Sequence, residues 1–173
     1  YANLYIRSSL GSAFASTVSG SKFLVCESNT PTITTPNTVT IPIPNTLPGT
    51  YNIYCVFVPT SVINATDKKP YKVKFYLSYM GSDGKQVTNA AVDATNTVTK
   101  PNYIPATFIT KAQQITKQFV AKHTFPYCNI LNEKDAVSTI TTALKVENAT
   151  PITQSAVFDR SLRIDYVVFE PVQ

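Results

Sequence analysis

The stretch SLRIDYVVFEPV, Ser161 to Val172, constrains the fold more than any other part of the chain. Read as a strand, it puts Leu162, Ile164, Tyr166 and Val168 on one side and Arg163, Asp165, Val167 and Phe169 on the other. Apolar residues on both sides mark a strand covered on both faces and central in its sheet. The C-terminal segment is therefore expected in the middle of the fold, closing a β-sandwich. Asp165, inside such a strand, needs a partner: Arg163 two positions away on the same face, or loop amides.

The rest of the chain alternates in the same way. Asn3 to Ser8 is a short extended run, Ser9 to Ser21 is rich in Gly, Ser and Ala and reads as a loop or weak strand, and Lys22 to Glu27 is a compact apolar strand. Pro31, Pro36, Pro42, Pro44 and Pro48 exclude helix and central strand from the next stretch, leaving Thr38 to Ile43 as an edge strand. Thr50 to Pro59 and Tyr71 to Met80 are the clearest strands; the second sets Tyr71, Val73, Phe75, Leu77 and Tyr79 against Lys72, Lys74, Tyr76, Ser78 and Met80. Gly81-Ser82-Asp83-Gly84 is a tight-turn signature that makes Lys85 to Val92 the returning arm of a hairpin. Asp93 to Pro105 reads as a long polar connection, and Thr107 to Ile109 as a short strand. Ile115 to Lys122 reads as a strand with Ile115, Phe119 and Ala121 in phase, over a competing helix at Lys111 to Lys122. His123 to Lys134 reads as loop and Ser138 to Glu147 as strand. Eight or nine strands without a helix or a repeat predict an all-β sandwich of the jelly-roll type.

At 173 residues one domain is expected over the whole chain. The net charge of +5 is scattered; Lys68, Lys69, Lys72 and Lys74 gather locally, but Lys72 and Lys74 alternate with Val73 and Phe75, as on a solvated sheet face. A nucleic-acid partner is not expected. No run of about 18 apolar residues is present to span a bilayer. The start at Tyr1 reads as a segment excised from a longer protein. Cys26, Cys55 and Cys128 lack the short spacings of metal sites; Cys55 reads as a buried thiol, and a disulfide between Cys128 and another Cys stays open. Asn64-Ala65-Thr66 and Asn148-Ala149-Thr150 are N-glycosylation sequons, relevant in a eukaryotic secretory context.

GTYNIYCVFVPTSV, KPYKVKFYLSYMGSDGK and SLRIDYVVFEPV together resemble the C-terminal β-sandwich module of fasciclin-repeat surface lipoproteins of gut anaerobes. More distantly, the strand opening Gly-Thr-Tyr and the closing Ile-Asp-Tyr-Val-Val are similar to galactose-binding-like carbohydrate-binding modules. The resemblance implies a galactose-binding-like jelly roll, a glycan or other cell-surface ligand, and an extracellular or cell-surface location, anchored to the outer membrane through the parent protein. The chain departs from those modules in having no Trp and in having Glu27 as the sole acid before Asp67, so a sugar platform would use Tyr or Phe and no structural calcium is expected.

No catalytic motif stands out. His123 and Cys128 lie five positions apart without an evident orienting group, and the acid pairs Glu133 with Asp135 and Asp165 with Glu170 are the remaining candidates for hydrolytic chemistry. The chain is therefore read as a non-enzyme without cofactor or metal. Recognition residues are expected on long loops of the sandwich: Asn102 with Tyr103; Asn64, Asp67 and Lys69; and Phe125 with Tyr127. The first function expected is glycan recognition or adhesion. The alternative is an adhesin- or fimbria-like assembly subunit in which the Thr- and Pro-rich edge from Thr30 to Pro48 pairs with another protein chain.

Overall fold

A computed structural model describes residues 2–28, 34–127 and 141–173 of the chain. Among these are eleven strands: β1 (Ala2–Ser8), β2 (Lys22–Ser28), β3 (Thr38–Pro42), β4 (Gly49–Phe57), β5 (Lys72–Met80), β6 (Gln86–Val92), β7 (Val98–Pro101), β8 (Phe108–Ile109), β9 (Thr116–Phe125), β10 (Ala143–Asn148) and β11 (Leu162–Pro171). One sheet runs β1-β2-β11-β4-β9; the other runs β3-β10-β5-β6-β7, with β8 also paired to β5. β11 is the middle strand of its sheet and β3 an edge strand, as their sequences require. Four pairings nest: β3 with β10, β4 with β9, β5 with β8 and β6 with β7, all antiparallel. Such nesting is a long hairpin rolled on itself, the wrapping of a jelly roll, so the all-β sandwich expected from the sequence is the observed fold.

The core fills the space between the sheets. Ile53, Phe57, Val73, Phe75, Leu144 and Leu162 are among its buried residues. A smaller cluster of Val18, Phe23, Val25, Val58 and Val62 lies beside it, with Phe14 packed against it. The Gly/Ser/Ala-rich loop after β1 thus covers part of the second face of its sheet, over Phe23 and Val25 of β2. Cys26 and Cys55 are buried free thiols, and Cys128 lies outside the described residues.

Three irregularities change the expected pattern. In β11, Ile164 stands opposite Phe57 and Tyr166 opposite Val56, so Asp165 is an extra residue. A bulge of this kind turns the strand over. Leu162 and Ile164 are buried, Val167 and Phe169 then pack on the core, and Tyr166 is 44% exposed. The single face expected for Leu162, Ile164, Tyr166 and Val168 is therefore broken. Asp165 accepts the Ser19 N–H on both carboxylate oxygens, at 3.1 and 3.0 Å. Its partner is a loop amide, and Arg163 pairs elsewhere.

In β9, Ala121 stands opposite Ile53 and Phe119 opposite Tyr54, leaving Val120 as the extra residue. Val120 and Ala121 are both buried, whereas Phe119 packs on Tyr54 with ring centroids 5.3 Å apart. Phe119 and Ala121 therefore do not share a face. The third irregularity lies in β6, where Asn89 takes φ 53° and donates its N–H to Ser78 Oγ at 3.0 Å.

Two further expectations are corrected. β7 forms inside the stretch read as a polar connection, because Asp93 Oδ1 accepts from the Thr95 N–H at 2.8 Å and the Thr97 N–H at 3.0 Å and closes a tight turn. β9 runs on through His123 to Phe125, which had been read as loop; the part of that reading from 128 to 134, and 138–140 of the next strand, lie outside the described residues. The helix competing over Lys111 to Lys122 does not form.

Asn148, at the end of β10, is buried at 2% exposure. Its Nδ2 donates to the Asp159 and Ser161 carbonyls at 2.9 and 2.7 Å, and its Oδ1 accepts from the Thr150 N–H at 2.9 Å. That amide nitrogen is committed within the fold, unlike that of the exposed Asn64. Replacing Asn148 with Ala takes a partner from three backbone groups, of which the Asp159 carbonyl keeps the Thr150 hydroxyl at 3.3 Å. Asn148→Ala is expected to cost about 2–4 kcal/mol, read from the urea midpoint at constant m-value.

Candidate functional site

The two ends of the sandwich carry clefts of opposite character. At one end β2, β4 and β10 finish and β3, β5 and β11 begin. The segment before β11 folds back there, held by a parallel bridge between Tyr71 and Asp159 and by the Asn148 hydrogen bonds. It brings Asp159, Arg160 and Ser161 against Glu27, Asn37 and Lys69 around a polar cleft of about 300 Å³, with Phe158 and Arg163 also in its lining. Arg163 is 7% exposed and donates from Nη1 to Ser161 Oγ at 2.7 Å, Tyr71 Oη at 3.2 Å and Asp159 Oδ2 at 3.4 Å. Its Nε is buried without a partner. Tyr71 donates in turn to the Val58 carbonyl at 2.7 Å, and burial pushes its hydroxyl pKa up.

At the other end, the β5–β6 turn and the end of β9 enclose a cleft of about 460 Å³. Tyr79, Val87, His123 and Pro126 supply a mostly apolar lining, and Ser82, Asp83 and Thr124 add polar groups. The turn depends on Gly84 at φ 73° and on Gly81, where a Cβ would come within 3.0 Å of Asp83 Oδ1. The His123 and Tyr79 rings meet edge to face at 4.3 Å, and Phe125 packs behind both. Burial pushes the His123 imidazole down to about 4, and its Nε2 is buried without a partner. The ring is therefore neutral near pH 7.

The seven residues expected at a site do not meet. Lys69 lines the polar cleft, its Nζ donating to the Ser155 carbonyl at 3.0 Å. Asp67 and Asn64 shape the adjoining loop: Asp67 Oδ1 accepts from the Lys69 N–H at 3.3 Å and Asn64 Oδ1 from the Thr66 N–H at 3.1 Å. Tyr127 is 46% exposed at the opposite end, its hydroxyl donating to the carbonyl of Ser82 in the aromatic cleft wall at 3.2 Å. β5 separates these groups by nine residues, about 30 Å of strand. Asn102 and Tyr103 follow β7 on a sheet edge, where Asn102 takes φ 64° and Tyr103 is 59% exposed. They line neither cleft. Phe125 must be corrected: at 2% exposure, stacked on Phe169 at 5.6 Å, it belongs to the core and offers no face to a ligand.

The acids and His123 have identifiable roles. Asp165 is held by Ser19, and Glu170 pairs with Lys117 at 2.6 Å. His123 faces aromatic rings; Cys128, Glu133 and Asp135 lie outside the described residues. The residues missed from sequence are those around Arg163 and those around His123. The run Asp159-Arg160-Ser161 just before a central strand, with Arg163 inside it, was the available signal, because charges so close to a covered strand must be paired or used.

No family model matches the chain, and no curated protein matches it. Among solved structures it is similar to a Paenibacillus xanthan lyase, with a TM-score of 0.53 at 13% identity. The match covers 99% of this chain and 12% of that one, so the chain spans a small part of the lyase's length, and at that identity the likeness is one of fold.

His123 gives the sandwich a distinct acid response. Its folded pKa of about 4 lies below the ordinary 6.5, so its contribution to stability is full above about pH 6.5 and is lost as pH falls toward 4. Because it is the chain's single His, the urea midpoint is expected to begin falling between pH 6.5 and 5, and to fall less in His123→Phe over the same range.

Proposed function

We propose that this chain is a non-catalytic recognition module that binds glycan, carried at the cell surface within a longer protein. The observation that carries the reading is the aromatic cleft. Tyr79 and His123 line it with aromatic ring surface, and Ser82, Asp83 and Thr124 add polar groups able to meet sugar hydroxyls. The cleft is built on a strand end and a short glycine turn, so little order has to be gained on binding. Its volume falls within the range of small-ligand sites. The similar chain is a xanthan lyase, and a carbohydrate-related role for this chain is in keeping with that name. The sequence resemblance to surface lipoprotein modules favours the cell-surface setting.

One observation favours assembly as the second reading. Edge strand β1 leaves Leu4 and Ile6 60% and 62% exposed, opposite Cys26 and Leu24 of β2. Apolar side chains on an open edge invite another strand or chain.

A glycan array followed by calorimetry separates the two. Binding of at least one glycan is expected, weakened about tenfold by Asp83→Ala and also by Tyr127→Ala, with Tyr103→Ala unchanged. If no glycan binds, and the protein instead self-associates in a manner abolished by Leu4→Lys, the assembly reading replaces this one.

A further inference from the structure

We propose that the polar cleft at the Arg163 end binds an acidic sugar, taking its carboxylate on the cationic side and its hydroxyls on Glu27 and Asn37. The inference rests on the glycan reading above and extends it to a second site of different chemistry. Three cations, Lys69, Arg160 and Arg163, share this cleft with two acids, Glu27 and Asp159. The two acids are unequal. Asp159 is spent within the protein: Oδ1 accepts both the N–H and the Oγ of Ser161 at 2.6 Å, and Oδ2 accepts from Arg163. Glu27 accepts the Tyr5 hydroxyl on Oε1 at 2.6 Å, which leaves its other oxygen as an acceptor.

Lys69 keeps donors in hand. It uses one of three on Ser155. Arg163 makes its three hydrogen bonds from Nη1 alone and lines the cleft, so a guanidinium charge stands on its cationic side. A carboxylate is the group whose charge best complements a lysine and guanidinium charges held together. A small inorganic anion would meet the cations but also the charge of Glu27. A sugar acid meets both sides, since its hydroxyls donate to Glu27 while its carboxylate faces the cations. Asn37 adds a further acceptor, its Nδ2 being engaged by the Arg160 carbonyl at 2.6 Å, and Phe158 supplies an apolar wall.

The test is calorimetry with a uronic-acid oligosaccharide, its carboxyl-reduced neutral counterpart, and sodium acetate. The acidic oligosaccharide is expected to bind at least tenfold more tightly than the neutral one, to weaken at high salt, and to lose about tenfold in affinity with Lys69→Ala and with Arg160→Ala. Asp83→Ala, in the other cleft, is expected to leave this binding unchanged. Lys69→Gln repeats the Lys69 test with the side-chain volume kept, should Lys69→Ala lower the unfolding midpoint. Equal affinity for the acidic and neutral oligosaccharides overturns the acidic site and leaves the glycan reading standing. Binding of neither overturns the acidic site, and the glycan reading falls with it where the array also shows no glycan bound. Acetate binding as tightly as the oligosaccharide overturns the sugar requirement.

Discussion

The guanidinium of Arg163 ties the two sheets together at one end of the sandwich. Arg163 belongs to the central strand of one sheet, and Tyr71, which accepts from it, leads into the central strand of the other. Tyr71 passes the connection on by donating to Val58, just past β4. Asp159 and Ser161 complete the arrangement from the segment that must fold back before β11 can begin. Burying such a charge costs several kcal/mol, which the ion pair and hydrogen bonds offset only while every member is in place. The network therefore fixes one arrangement of loop, strand and sheet more than it adds stability. It also explains why the polar cleft lies at this end: the groups that hold β11 in register form its floor.

The opposite end is held by different physics. Tyr51, Tyr79, His123, Phe125 and Phe169 pack ring against ring, with Phe125 stacked on Phe169 and at right angles to Tyr79. Nothing in this group needs charge, and His123 is kept neutral by burial. Dispersion and apolar burial close this end, whereas hydrogen-bonded charge closes the other. The clefts inherit that contrast.

Much of the sandwich was legible in the sequence because period-two alternation is local. β4, β5, the β5–β6 hairpin and the central place of β11 each follow from a few consecutive residues. The bulges were not legible, since Asp165 and Val120 become extra residues only through the strands they pair with. One such residue reverses every side chain beyond it, which is how Tyr166 came to the surface and Phe119 to an outer pair with Tyr54. β7 was missed for a related reason: four residues following a polar turn carry too little pattern to be distinguished from loop.

The site was harder to read because exposure is a property of assembly. Phe125 and Tyr127 look alike in sequence, two positions apart around Pro126, yet one is core and the other surface. Lys69 and Tyr127 each stand beside a cleft, but about a strand's length apart. That separation is itself informative. If both clefts bind as proposed, a glycan long enough to run along the sandwich could occupy the apolar cleft with a neutral residue and the polar cleft with an acidic one, the second contact being made at high effective concentration. A shorter glycan would instead leave each module free to hold two chains. The spacing of acidic residues along the glycan, more than affinity at either end, would then decide whether the module grips one chain or joins two.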